Sequence, residues 1–123
     1  MSRPTVRRSP KPAALRPRVK VWLEADGRYA FGLGLSDILQ GVERTGSIKQ
    51  AAAALGKSYR YVWGRLKAAE RVLGRQLVET HVGGQGSQRS ALTPDGRRLI
   101  TAFLALRSRM GALVLEEFTR HFG

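Results

Sequence analysis

The sequence predicts a mainly α fold with small β hairpins (α+β), on three observations. Apolar residues recur at helical spacing in four segments between residues 37 and 122. Two pairs of short strand-like segments flank Asp26-Gly27 and the Gly-rich run Gly83 to Ser87. The chain has 123 residues and 42% hydrophobic side chains, material for one compact core but not for two.

In chain order, residues 1–18 hold four of the five prolines, many basic side chains and little that can pack, so they read as a disordered basic arm. Such an arm is either inert or able to track phosphates and enter a minor groove. Val19, Val21 and Leu23 alternate with Lys20, Trp22 and Glu24, the period of a half-buried strand. Asp26-Gly27 supplies a tight turn, since both residue types tolerate positive φ. Tyr29 to Leu33 then returns as the second strand, ended by Gly32 and Gly34. Ser36 is expected to cap a first helix from Asp37 to about Arg44, with Ile38, Leu39 and Val42 inward and Gly46 just past its end.

Ser47 and Gln50 have capping-box spacing, in which each side chain satisfies the other's free backbone N–H. Ile48, Ala51, Ala52 and Leu55 follow as a short second helix whose small residues let another helix cross closely. Gly56 ends it, and Ser58 can cap a third helix reaching Leu73 and stopping at Gly74. Val62, Leu66, Ala69 and Leu73 form the buried stripe of that helix, leaving Tyr59, Arg60, Trp63, Gly64 and Lys67 wholly or partly outside it. Gln76 to Val82 and Arg89 to Leu92 read as a second hairpin around the Gly-rich tip. Thr93-Pro94-Asp95 then opens a last helix to Phe122, with a capping threonine, proline at the first helical position and an acid near the positive end of the dipole.

Charge narrows the function. The net charge of +13 at this size implies a polyanionic partner. Residues 1–20 carry seven Lys or Arg and no acid, and residues 57–98 account for the remaining +6. The absence of cysteine excludes a disulfide framework and thiolate metal sites, and His81 and His121 are too far apart in sequence to suggest a metal pair, so no cofactor is expected. No apolar run approaches the ~20 residues that cross a bilayer, so no membrane contact and a cytoplasmic, nucleoid-associated location are expected. Paired carboxylates, a nucleophile elbow and metal-ligand spacing are all missing, which argues against an enzyme. Gly83-Gly84-Gln85-Gly86 lacks the GK[ST] and following helix of a phosphate-cradling loop. His81, beside Glu79 and Thr80, reads as a wing residue rather than an acid–base partner, because strand neighbours point to opposite faces.

Two short helices joined by about three residues, the second rich in Arg, Lys, Ser and Tyr, match a helix-turn-helix at about residues 47–74, and the hairpin after it adds a wing. The first helix braces the second so that its N-terminal face enters the major groove of double-stranded DNA. Arg60 is the first candidate for a base contact, surrounded by Ser58, Tyr59, Trp63, Arg65 and Lys67. Ser47 sits where backbone N–H groups at the start of the second helix aim at phosphates, and Gln88 and Arg89 of the wing can reach phosphates or the minor groove. Trp22 and Trp63 read as packing anchors, with Trp63 close enough to the reading face to serve both ends.

The segment from Gly46 to Ile100 resembles the DNA-binding domain of the molybdate-responsive ModE family and, more distantly, the helix-turn-helix of LysR-type regulators. The matching pieces are Gly46-Ser47-Ile48 into an alanine-rich helix, Gly56-Lys57-Ser58-Tyr59 with Trp63, Leu77-Val78-Glu79-Thr80 into a Gly-rich wing, and Leu92-Thr93-Pro94 with Gly96. Counting the preceding hairpin and first helix, the resemblance covers about residues 19–122. It implies that Ser58 through Lys67 read DNA and that the helix after Thr93 is the dimer element. Full-length members of that family continue into a C-terminal molybdate-binding region, and this chain stops at Gly123, so molybdate is not expected here.

The expected organisation is therefore a basic arm over residues 1–18 and a winged helix-turn-helix over 19–123 whose long C-terminal helix, 93–122, makes a homodimer. Leu99, Phe103, Leu106, Met110 and Leu113 form its interface stripe, and Ile100, Leu104, Val114, Phe118 and Phe122 lie beside it. The expected function is a sequence-specific transcriptional regulator. The alternatives are a nonspecific architectural protein led by its basic arm, and an interaction module whose apolar helix docks a separate sensor subunit.

Overall fold

The computed structural model describes residues 12–82 and 88–123, so the first eleven residues of the expected arm and the wing tip at 83–87 lie outside the described residues. Its elements are β1 (Leu23–Ala25), β2 (Arg28–Phe31), α1 (Leu33–Thr45), α2 (Ile48–Ala54), α3 (Tyr59–Leu73), β3 (Val78–Val82), β4 (Gln88–Leu92) and α4 (Pro94–Phe122). The strands form two separate antiparallel hairpins, β1–β2 and β3–β4. This is a winged helix-turn-helix with a long C-terminal helix.

The first hairpin turns at Asp26 (φ 52°) and Gly27 (φ 75°), both left-handed as a two-residue hairpin turn requires. It is shorter than the alternation predicts, with Val19 to Trp22 outside it. Phe31, the partner of Leu23, is the last residue of β2 before the chain turns into α1, so residues N-terminal to Leu23 have no strand to pair with.

Helix α1 begins at Leu33, four residues before the predicted start, and Ser36 is not its cap. Ser36 is buried in the first turn, where its N–H donates to the Gly32 carbonyl at 2.9 Å and its hydroxyl accepts from Gln40 Nε2 at 3.1 Å. The earlier start places Leu35 on the inner face with Ile38, Leu39 and Val42, and that buried side chain outweighs the two nearby glycines. At the α1–α2 crossing a Cβ on Gly41 would stand 3.0 Å from the Ala51 Cβ, so small residues on both helices set the close approach.

Only half of the capping box forms at α2. Ser47 Oγ accepts from the Gln50 N–H at 3.1 Å, but the Ser47 N–H donates to Thr45 Oγ1 at 3.2 Å, and Thr45 in turn donates to the Gly41 carbonyl at 2.7 Å. Thr45 thus takes the place predicted for the glutamine. Ser58 Oγ caps α3 by accepting from the Tyr61 N–H at 3.0 Å.

The core joins every layer. Phe31 from the hairpin, Leu35, Leu39 and Val42 from α1, Ala51 and Ala52 from α2, Val62 and Leu66 from α3, Leu77 and Leu92 from the wing, and Ile100 and Phe103 from α4 are all buried. Phe31 and Phe103 meet edge to face, with centroids 5.1 Å apart and planes at 75°. Thr93 caps α4 by accepting from the Gly96 N–H at 3.0 Å and donates to the Gln76 carbonyl at 2.6 Å.

The predicted interface stripe on α4 divides in two. Phe103 is 1% exposed and belongs to the protein's own core, with Leu99 packed against it, which withdraws Phe103 from any surface. The helix is 29 residues long and its buried residues, Gly96, Ile100 and Phe103, all lie in its first third.

Candidate nucleic-acid interface

Helix α3 carries the candidate site, and its burial pattern fixes how the side chains fan out. With Val62, Leu66 and Ala69 inward, Tyr59, Trp63 and Lys67 stack at one-turn intervals on one flank and Tyr61 and Arg65 on the other. Arg60 lies on the crest between them and is exposed. The Tyr59–Trp63–Lys67 flank forms one wall of an open groove of about 570 Å³, closed by Ser47 and Lys49 at the start of α2 and by Thr80, Gln88 and Ser90 of the wing.

Two partly buried ties hold the wing in that position. Glu70, its side chain 10% exposed, accepts the backbone N–H groups of Leu77 at 2.7 Å and Val78 at 3.2 Å through Oε2, while Oε1 holds Lys67 Nζ at 3.2 Å. A charged acceptor of this kind makes stronger bonds than a neutral one. At the other strand, the Ser90 N–H donates to the Gly46 carbonyl at 2.8 Å, tying β4 to the turn between α1 and α2, and the Ser90 and Thr80 hydroxyls lie 3.0 Å apart.

The predicted site residues distribute around this frame. Ser47, Tyr59, Trp63, Lys67 and Gln88 line the one groove. Ser58 and Arg89 are exposed beside it, Ser58 as the α3 cap and Arg89 on β4 opposite His81. Each of the two serine hydroxyls, Ser47 and Ser58, accepts one cap N–H group. Arg65 stands apart on the far flank, where Nη1 donates to the Tyr61 hydroxyl at 3.2 Å and the guanidinium lies 5.9 Å from both the Tyr29 and Tyr61 ring centroids. Lys49, Thr80 and Ser90 were not predicted for the groove. The position of Lys49, two residues after a capping serine, was the available signal for it.

Two readings of single residues change. Trp63 is 45% exposed, with Lys67 Nζ 5.7 Å from its ring centroid, and Trp22 is 47% exposed, with its indole N–H donating to Glu24 at 3.2 Å. Neither anchors the core, because apolar smaller residues fill it and both indoles sit on outward positions. Glu79 and His81, two residues apart on a strand, share a face and approach to 3.7 Å. Both side chains are largely exposed, so water screens the pair.

Electrostatically the face is cationic and only partly neutralised. Lys67 is paired with Glu70, whereas Lys49, Lys57, Arg60 and Arg65 have no carboxylate within 4.0 Å among the described residues. All nine acidic residues of the chain lie in the described part. No helix among the described residues is long and apolar enough to cross a membrane.

Comparison with known proteins agrees with this geometry. The family model described as "Bacterial regulatory helix-turn-helix protein, lysR family" matches residues 35–97. The molybdenum-pterin-binding protein MopB of Rhodobacter capsulatus is 34% identical over 100 residues, 72% of this chain and 37% of that protein. The molybdenum transport protein ModE of Herbaspirillum seropedicae is 35% identical over 72 residues, 58% of this chain and 27% of that protein. The chain therefore spans well under half the length of these curated relatives. Among solved structures, the fold is similar to that of the BenM DNA-binding domain in its complex with benA site 1 DNA. The TM-score is 0.55 at 22% identity, over 73% of this chain and 96% of that one.

Proposed function

Because this chain belongs to the lysR family of bacterial regulatory helix-turn-helix proteins, we propose that it is a sequence-specific DNA-binding transcriptional regulator with a ModE-like reading head. The observation that carries this reading is the groove between α3, the start of α2 and the wing, where Lys49, Lys67 and polar side chains ring an apolar patch and Glu70 ties α3 to the wing. A recognition helix works when its crest is free and its base is rigid, and α3 meets both conditions.

In this reading Arg60, on the exposed crest, donates to base edges in the major groove. Tyr59, Trp63, Lys67 and Lys49 follow the adjacent backbone. The N–H groups behind Ser47 and Ser58 donate to phosphate oxygens, and Gln88 and Arg89 bring the wing to the neighbouring groove. No step of this function calls for catalysis or a cofactor. Molybdate has no assigned place in these residues, and the protein works in the cytoplasm at the nucleoid.

The protein acts as a homodimer. Beyond Phe103, the interface stripe of α4 continues as Leu106, Met110 and Leu113, of which Leu106 is exposed and the other two only partly covered, while Phe118 and Phe122 lie on the adjoining face. A second copy of the helix buries this stripe and sets two reading heads for a palindromic site. Selection from random duplexes tests the function: a palindromic motif is expected. An absence of any motif, with binding abolished by removal of residues 1–18, would instead establish an architectural protein.

A further inference from the structure

We infer that the flank of α3 facing away from the wing, formed by Lys57, Tyr61 and Arg65 and buttressed by the β1–β2 hairpin, is a second backbone-contacting surface that holds the opposite phosphate strand of duplex DNA. The inference rests on the regulator reading above and extends it to the far flank of α3 and to the β1–β2 hairpin, which precedes the matched residues 35–97.

The geometry of the duplex supports this inference. A major groove is about 12 Å wide and a helix with its side chains about 10–12 Å across, so a helix seated there has a phosphate strand along each flank. The wing and the start of α2 serve one flank of α3. The other is served by Tyr61 and Arg65, one turn apart, with Lys57 just before the α3 cap.

The cations on the two flanks differ in state. On the wing flank Lys67 is already engaged by Glu70. Lys57 and Arg65 have no carboxylate within 4.0 Å, although Asp37 lines the same niche. Both cations are held by aromatic rings instead. Lys57 Nζ lies 5.4 Å from the Tyr61 centroid, and the Arg65 guanidinium lies between the Tyr61 and Tyr29 rings and donates to the Tyr61 hydroxyl. Ring contacts orient a cation without neutralising it, and a guanidinium so fixed loses less entropy on gripping a phosphate.

The hairpin supports the same flank. Its residue Tyr29 is 47% exposed yet its hydroxyl fills the space over Gly32, where a Cβ would stand 2.2 Å away. The ring is therefore wedged between Gly32 and Arg65, a placement that serves the guanidinium rather than the core.

The test measures affinity for the selected duplex against salt, together with phosphate-ethylation interference. For the wild type, ethylation should interfere on both strands beside the α3 site. Each phosphate contact contributes about 0.9 to the slope of log affinity against log salt, so Lys57→Gln should lower its magnitude by about 0.9 with the selected motif unchanged, and Lys57→Gln with Arg65→Gln should lower it by about 1.8. Interference should then persist only on the wing side. If the double variant does not fold, the exposed Lys57→Gln and the wild-type interference pattern decide the matter. An unchanged slope, interference confined to the wing-side strand, or an altered motif overturns the inference while leaving the regulator reading intact. A wild type that selects no duplex overturns both.

Discussion

The Glu70 carboxylate on α3 accepts the Leu77 backbone N–H at 2.7 Å, so the helix that carries the candidate reading face also fixes the first strand of the wing. The same carboxylate takes the Val78 N–H and the Lys67 ammonium, and the Glu70 carbonyl accepts the Arg75 N–H at 3.2 Å. One residue therefore coordinates the wall, the floor and the cation of the groove.

Replacing Glu70 by Ala leaves two backbone donors unsatisfied in a partly buried place. Loss of hydrogen bonds to a charged acceptor predicts destabilisation of about 1.5–3 kcal/mol, read by chemical denaturation. Glu70→Gln keeps one acceptor and should cost less. Both variants should weaken duplex binding beyond their effect on the folded fraction, because the wing loses its register to α3.

Glycine substitutions should divide by the space around them. A Cβ at Gly96 would fall 2.2 Å from the Leu77 carbonyl oxygen, so Gly96→Ala must push α4 off the wing and should destabilise by about 1–3 kcal/mol. Gly64 lies mid-helix with nothing within 4 Å of a Cβ, and Gly64→Ala should stabilise by about 0.5–1 kcal/mol. Thermal melts of the two variants should move in opposite directions.

Much of this fold was legible because its signals were local. Capping serines and threonine before α2, α3 and α4, Asp26-Gly27 at the hairpin, and the Val62–Leu66–Ala69 stripe each act within a few residues, and all appear where expected. The start of α1 was not legible, since Gly32 and Gly34 read as breakers and only the tertiary burial of Leu35 overrides them. The split of the α4 stripe was hidden for a similar reason. Periodicity finds apolar faces but not which part is consumed by Phe31 across the core. Arg65 was legible as a DNA contact beside Arg60, but its place on a separate flank with Tyr61 was not, because its ring partner Tyr29 is 36 residues away in sequence.

The dimer is expected to separate from the core in mutagenesis. Leu106→Asp with Met110→Asp should leave the helix content intact and halve the mass in equilibrium sedimentation. Phe103→Asp should instead unfold the domain, since it inserts a charge beside Phe31. An unchanged mass in the folded double variant would refute the α4 dimer.

The two serine caps should contribute comparably. Ser47→Ala and Ser58→Ala each remove one acceptor from a helix start and should cost about 1 kcal/mol by chemical denaturation.

Whether α3 reads base sequence is decided by the affinity of wild type and Arg60→Ala for every single-base variant of the selected site. Arg60→Ala should lose about 1–3 kcal/mol of discrimination at one position of each half-site while the other positions keep theirs. A uniform loss across all positions, or none at any, would contradict it.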